Sequence, residues 1–411
     1  MMQESSISVG DVVEVVTERL AFGGDAVAHH EGLAVFVPLA APGERLRVRI
    51  TERKKKFARA TIEEILVASP ARREAPCPHF GECGGCQLQH LAYPAQLEAK
   101  AGFARDCLSR IGRIEWPGEI EILSGPEFNY RAGAQVKLET VPSSEGEELK
   151  IGFNRAGSHS VCDVESCPIL LPELDSALGL LRSSLKAAGD PTRSKRTIIS
   201  EIEMAAGESG VAFEPALPGL PEGPIERSAS GNLYSFSPST FFQINPFLLE
   251  GLIAEATRNG TGKLAIDLYA GAGFFTLELA RRYDRVIGVE ALPRAASFAR
   301  KNIRANGVSN AKFYTKLADV WLKEFAANKK RNPKIDMILL DPPRRGASEC
   351  ISHIVGLKPA NITYVSCDPA TLARDLRELL DGGYKLSGIK AFDLFPQTYH
   401  VEIVAHLSFS N

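Results

Sequence analysis

Two side chains near the C-terminus have the chemistry of a nucleophile and a base. Cys367 closes the run Ile362-Thr-Tyr-Val-Ser-Cys367-Asp-Pro, an apolar, β-branched strand followed by a helix-like stretch. A thiol at the carboxyl end of a strand, just before a helix N-terminus, occupies the edge where open α/β sheets bind ligands. The positive end of that helix dipole favours its thiolate. Taken alone, such a cysteine is as readily a small buried core residue, so its partners decide. Further on, Phe395-Pro-Gln-Thr-Tyr-His400-Val-Glu402-Ile-Val carries two groups able to accept a proton. His400 and Glu402 are two apart, so on a strand they share a face. Glu402 lies in an apolar run, where a carboxylate is costly unless it is used, and it is the preferred base.

A cofactor signature precedes them. Asp267-Leu-Tyr269-Ala-Gly271-Ala-Gly273-Phe follows a strand, and Glu290 closes the next strand. The glycines let backbone approach a ligand, and a carboxylate at the second strand's end accepts from ribose hydroxyls. A dinucleotide site needs a third glycine to cradle pyrophosphate, and Thr276 stands there instead. S-adenosylmethionine has no pyrophosphate, and the shorter turn suits it. Asp341-Pro-Pro-Arg344-Arg-Gly346 follows a later strand. An aromatic residue after the prolines would suit stacking on a base whose amino group is methylated. Arg344 argues against that chemistry, while Asp341 is placed to hold the cofactor or a base edge. With a methyl donor nearby, Cys367 acquires a task. Uracil C5 is too weak a nucleophile to attack a sulfonium. A thiolate adding at C6 makes C5 an enolate carbon, and a base must later remove the C5 proton so that the thiolate can leave.

A second cysteine group lies far upstream. Cys77-Pro-His-Phe-Gly-Glu-Cys83-Gly-Gly-Cys86 aims three sulfurs at one centre, with Cys162 and Cys167 as candidates for a fourth ligand. Four thiolates hold zinc or an iron–sulfur cluster. The three-plus-one spacing fits a cluster better than the paired spacing of zinc fingers. His79, inside the loop, would be a ligand only in a zinc site. Eight cysteines in a chain with no secretory segment speak for metal or catalysis over disulfides.

The elements that position these groups follow from periodicity. From residue 235 onward strand and helix patterns alternate, which gives a doubly wound α/β domain. Residues 70–234 mix strands with helices over 95–110 and 170–187; a strand is expected over 197–204, a solvated turn over 145–148, and a connection with hairpin character over 206–232. Residues 1–69 carry short alternating strands separated by Gly23-Gly24-Asp25, Glu31-Gly32 and Ala41-Pro-Gly43, the spacing of a small OB-type barrel. Its last hairpin gathers eight cations between Arg45 and Arg59 against Glu44 and Glu52, with Phe57 among them, an electrostatic footprint for nucleic acid. Arg131 and Lys137 are further candidate RNA contacts. The net charge of −2 favours no partner by itself. No apolar stretch is long enough to span a bilayer, so a cytoplasmic monomer is expected.

These motifs together resemble the RNA (uracil-5-)-methyltransferase family. The matching segments are Ser239-Thr-Phe-Phe-Gln243-Ile-Asn245, the Asp267 turn, the Asp341 loop, Ser366-Cys367-Asp-Pro and His400-Val-Glu402. The resemblance implies a class I methyltransferase fold for the C-terminal domain, Cys367 as nucleophile and Glu402 as proton acceptor. It implies that Gln243, Tyr269, Gly271, Glu290 and Asp341 hold S-adenosylmethionine, and that Cys77, Cys83, Cys86 and Cys167 hold a 4Fe-4S cluster, with Cys162 a bystander. Phe274 departs from members with a polar residue after the turn. Residues 1–69 are similar to the TRAM domain through Gly10-Asp11 and Phe22-Gly-Gly-Asp-Ala-Val-Ala. Barrel and cysteines together imply the branch acting on 23S rRNA. A tRNA uridine, or an RNA-binding iron–sulfur protein without activity, are the alternatives.

Overall fold

The computed structural model describes residues 7–144, 146–188, 200–327 and 333–409. The chain forms two compact units. One comprises residues 1–103, 153–162 and 395–400, the other residues 104–152, 163–394 and 401–411.

In the first unit, strands Val12–Leu20, Ala26–His30, Leu33–Val37, Arg45–Arg53 and Phe57–Val67 close into a barrel. The expected OB-like architecture is therefore present. Alternation explains it: in Arg45–Arg53, Leu46, Val48 and Ile50 point inward and are buried, while the arginines between them point out. Leu33–Val37 pairs in parallel with Phe57–Val67, which removes the open edge. Glu44 is fully buried yet satisfied, accepting from the backbone N–H of Ala41 at 2.8 Å and from Arg72. The expected basic footprint is modified. Arg45 pairs with Glu14, Arg47 with Glu64, Arg49 with Glu63 and Arg59 with Asp25, so the strand face is charge-balanced. Lys55 and Lys56 stand exposed at the hairpin turn. The Phe57 ring, expected to stack on a base, already meets Phe36 edge-on at 5.7 Å.

The second unit holds the α/β domain. Its eight-stranded sheet runs Ala311–Thr315, Tyr283–Glu290, Gly262–Leu268, Met337–Leu340, Asn361–Ser366, Glu402–Phe409, Tyr384–Phe392, Ile122–Leu123. The first five strands are parallel, and Glu402–Phe409 is antiparallel to both its neighbours. Met337–Leu340 is buried throughout and Asn361–Ser366 nearly so, as befits central strands covered on both faces. Chain order reverses between Gly262–Leu268 and Met337–Leu340. That is the switch point at which such sheets open a crevice at their carboxyl ends. The edge pair Ile122–Leu123 is too short to be legible in the sequence.

The same unit contains antiparallel strands in the order Gly210–Glu214, Glu201–Gly207, Gly133–Ser143 and the part of Gly146–Asn154 that ends at Gly152. The expected strand over 197–204 lies partly outside the described residues and continues to Gly207. The hairpin character expected over 206–232 is present in Gly210–Glu214 and in the pair Ile225–Ala229 and Asn232–Phe236. Of the expected solvated turn, residue 145 lies outside the described residues and the rest enters the Gly146–Asn154 strand. Arg131 donates to the Gly133 carbonyl at 2.9 Å and Lys137 pairs with Glu201, so both candidate RNA contacts are engaged within the unit. Among the described residues, no helix is long and apolar enough to cross a membrane.

Gly288 is one place where only glycine fits. A Cβ there would lie 2.2 Å from the ring of Phe313, its partner on the next strand. Gly288→Ala is expected to lower the thermal midpoint of the protein by roughly 2–8 °C, the effect of overpacking by about 1–3 kcal/mol. Scanning calorimetry checks this, and an unchanged midpoint would show that the ring yields freely.

Candidate active site

The candidate nucleophile and the candidate base are brought together by strand register. Ser366 faces Ile403 across the antiparallel pair, so the next positions outward are Cys367 and Glu402. Beyond Cys367, Asp368 caps the helix Pro369–Asp381, accepting from the N–H groups of Ala370 at 3.0 Å and Thr371 at 2.9 Å. Proline at the first helical position completes that start. His400 does not share a strand face with Glu402. The strand begins at Glu402, and residues 395–400 belong to the first unit, where the His400 ring packs against Tyr399.

Glu402 is 3% exposed, and its Oε1 has no hydrogen-bond partner. Burial, then the charge of Asp341, raises its carboxyl well above the ordinary range. Asp341 is raised by burial and by Asp267. Asp267, fully buried, accepts from the Thr276 hydroxyl at 2.5 Å while its Oδ1 has no partner; burial first pushes it up to about 7. Cys367 is pushed up to about 12, by burial first and then by Glu402 and Asp341. The sequence-based expectation that the helix dipole favours its thiolate is thus overridden. The dipole is worth roughly 0.3–1 kcal/mol, and the Asp368 cap adds a negative charge beside it. The Arg344 guanidinium pulls the thiol back down. Sequence reasoning used Arg344 only to argue against amino-group methylation; its position three residues after Asp341 was the available signal.

Tyr269, Gly271 and Glu290 follow or close the carboxyl ends of neighbouring strands, and Gln243 lies in the segment before the turn Pro246–Leu248. Glu290, 9% exposed, accepts from the N–H of Gly271 at 2.9 Å and of Leu292 at 2.7 Å. A carboxylate has about four acceptor positions, so capacity for ligand hydroxyls remains after these bonds. Gly271 adopts φ +53° with nothing within 4 Å of a built Cβ, a backbone open to a ligand. Tyr269 is held at φ +59°, a strained conformation for a tyrosine. Its hydroxyl meets the Cys350 thiol at 3.1 Å, which leaves the ring rather than the hydroxyl for any ligand. Gln243 is buried, and Asn245 beside it caps the turn Pro246–Leu248 through Phe247 N–H at 3.2 Å. Phe274 packs inward against Tyr234, Phe242 and Phe275, so the departure from a polar residue is absorbed by an aromatic cluster. An unpartnered carboxylate oxygen on Asp267, spare acceptor capacity on Glu290 and the open Gly271 backbone fit a ligand that carries hydroxyl and ammonium donors.

The upstream cysteines are a different case. Cys83 accepts the Gly85 N–H on its sulfur at 3.4 Å, and burial, then Cys77, raises its thiol. That chemistry suits a thiophilic metal. The placement does not carry the expectation: among the described residues no group of three or more His, Cys, Asp or Glu side chains is arranged to hold a metal ion. Cys77, Cys83 and Cys86 belong to the first unit and Cys167 to the second. Cys162 is buried and meets His79 Nδ1 at 3.8 Å, consistent with a bystander.

Similarity to known proteins bears on these residues. A family model described as tRNA (Uracil-5-)-methyltransferase matches residues 231–409, and the TRAM domain matches residues 8–62. The 23S rRNA (uracil(1939)-C(5))-methyltransferase RlmD of Shewanella amazonensis is 35% identical, covering 96% of this chain and 95% of that protein. This chain belongs to the RNA uracil-C5-methyltransferase family. The RlmD protein of Cronobacter sakazakii is 33% identical over 97% of this chain and 96% of its own length. In structure the chain is similar to the Pyrococcus abyssi tRNA (uracil-54, C5)-methyltransferase solved with S-adenosyl-L-homocysteine, with a TM-score of 0.71 and 25% identity over 96% of this chain and all of that one. The expected methyltransferase fold is confirmed by that likeness.

The buried base has a stability signature. A carboxyl whose folded pKa is raised takes up a proton on folding, so stability falls as pH climbs from about 4 through the folded value. Ligand-free Glu402→Gln is expected to melt above wild type at pH 8 by roughly 2–4 °C per kcal/mol gained, with the gap closing near pH 4. Thermal melts across that range test it; equal midpoints at pH 8 would show that the folded environment does not raise the Glu402 carboxyl.

Proposed function

We propose that this methyltransferase modifies C5 of a uridine in 23S rRNA, with Cys367 as nucleophile and Glu402 as the base that removes the C5 proton. The observation that carries the assignment is the register that sets the buried, unpartnered Glu402 carboxylate beside Cys367. S-adenosylmethionine, held by Gln243, the Tyr269 ring, Gly271, Glu290 and Asp341, supplies an electrophilic methyl group. The other parts of the chemistry belong to the chain. The Cys367 thiolate bonds to C6, and the C5=C6 electrons move onto C5 and O4. Arg344 favours the thiolate; an ionised Glu402 opposes it. After C5 carries the methyl group, Glu402 accepts the C5 proton, the electrons of that bond restore C5=C6, and the C6–S bond breaks. Neutralising Glu402 in that step also removes its repulsion toward the departing thiolate. The same group therefore slows release early and eases it late. A paired uracil cannot reach such a recessed thiol, so the target base is unstacked or flipped.

Full-length likeness to the RlmD proteins, barrel included, favours 23S rRNA over tRNA. The Pyrococcus relative named for tRNA uracil 54 keeps the tRNA alternative. A role without activity is disfavoured by the intact pair of Cys367 and Glu402. Incubation with 23S rRNA fragments and tRNA carrying 5-fluorouridine is expected to give a covalent adduct to Cys367 on the 23S fragment. Cys367→Ala should lose adduct and methylation together, and Glu402→Gln should accumulate methylated, protein-bound RNA. Methylation of C5 by Cys367→Ala would sink the mechanism, and modification of tRNA alone would redirect the substrate.

The 4Fe-4S cluster is a separate proposal, supported by the spacing of Cys77, Cys83 and Cys86, by Cys167 before a proline, and by the Gly85 N–H on Cys83 sulfur. Protein purified without oxygen is expected to be brown, with absorbance near ~400 nm that Cys83→Ser abolishes. Colourless protein lacking iron and sulfide would remove the cluster from this family member.

A further inference from the structure

Behind the thiol lies a buried carboxylate that the reaction does not use. Asp375 is fully buried in the helix that begins two residues after Cys367. One oxygen accepts from the Tyr364 hydroxyl at 2.7 Å and from the Ala347 N–H at 2.7 Å. The other accepts from Arg374, Nε at 2.8 Å and Nη2 at 2.7 Å. Arg374 continues to the Arg345 carbonyl at 3.0 Å, and the Thr371 hydroxyl donates to the Arg344 carbonyl at 3.1 Å. Gly346 is pressed into this clamp at φ +80°. A Cβ there would sit 2.5 Å from Arg374 Nη2 and 2.6 Å from Asp375 Oδ2.

The partners of Asp375 are the strand that delivers Cys367, through Tyr364, and the loop that delivers Asp341 and Arg344, through Ala347 and Arg345. Those two loop residues are among the charges that bear on the thiol. Fold stabilisation alone is a weak reason for such a group. A buried ion pair roughly breaks even against well-packed apolar side chains, whereas removing one partner leaves a charge stranded. A fully satisfied network does something apolar packing does not: it selects one geometry. We propose that Asp375 is a positioning residue, which locks the Asp341–Arg344 loop onto the helix after Cys367 so that thiol, carboxylate and guanidinium keep a fixed spacing. The proposal rests on Cys367 being the nucleophile.

The test uses the full chain, the trapping RNA with 5-fluorouridine, and S-adenosyl-L-homocysteine as a binding probe. Asp375→Asn is expected to slow adduct formation at saturating RNA ~10–100-fold, the size of effect that a misplacement of about 1 Å produces. Its affinity for S-adenosyl-L-homocysteine should fall less than the adduct rate, because of the proposed holders only Asp341 lies on the clamped loop, while Gln243, Tyr269, Gly271 and Glu290 lie outside it. Gly346→Ala displaces the loop with Asp375 intact and should act in the same direction. Arg374 is half-exposed and also donates to the Arg345 carbonyl, so Arg374→Lys keeps a cation over Asp375 and the fold even if Asp375→Asn does not, while losing the planar fork that reaches both partners. It should cut the rate about threefold to tenfold, in kcat and not in KM. Variants whose adduct rate per folded molecule equals wild type would overturn the proposal, as would parallel losses of rate and S-adenosyl-L-homocysteine binding. A wild-type protein that forms no adduct would instead overturn the assignment of Cys367.

Discussion

Mutual repulsion among Asp267, Asp341, Glu402 and the Cys367 thiol, confined at one dry edge of the eight-stranded sheet, governs the chemistry available there. Asp267 raises Asp341, Asp341 raises Glu402, both Asp341 and Glu402 raise the thiol, and burial raises all four. The ligand-free site therefore holds protons that a solvated set of the same groups would release. Such a cluster is unfavourable to build. It persists because the surrounding strands are covered on both faces and cannot open locally to water. Arg344 is the cation that offsets the charge at the thiol, and Asp267 and Glu402 each keep an oxygen unpartnered. Those two atoms mark the places where ligand donors complete the site.

An antiparallel strand solves the delivery of the base. A parallel strand would present its carboxyl end at this edge. Glu402–Phe409 runs the other way, so its first residue arrives at the level where Asn361–Ser366 ends. Glu402 is thereby seated on a sheet position rather than a loop, and its separation from Cys367 is set by backbone pairing. On the other side, Glu290 spends two acceptor positions on Gly271 and Leu292, which fixes the two cofactor loops relative to each other before any ligand binds.

The barrel illustrates how tertiary pairing edits a charge count. Eight cations crowd its last hairpin in sequence, yet acids from other strands face most of the arginines. Exposed pairs of this kind add little to stability. They do reduce the field that the strand face presents to a polyanion, and they leave the lysines at the turn as the exposed positive end.

Much of this protein could be read from its residues. The alternating strands of the barrel, the βα alternation after residue 235, and the pairing of a strand-end thiol with a distant carboxylate are local patterns, because burial on one or two faces imprints a period on the chain. The glycine turn and Glu290 were legible for the same reason: a positive φ and a strand-end acceptor each demand a residue type. Other features had no local trace. That His400 leaves the strand while Glu402 begins it depends on where antiparallel pairing stops. That the thiol sits high despite a helix N-terminus depends on burial and on two carboxyl groups, Glu402 and Asp341, brought in from other strands. Nothing in the sequence marks Asp375; its meaning comes from Tyr364, from Ala347 and, through Arg374, from the Arg345 carbonyl, which only packing places around it. Residue type and period are properties of the chain, whereas charge environment and register belong to the assembled sheet.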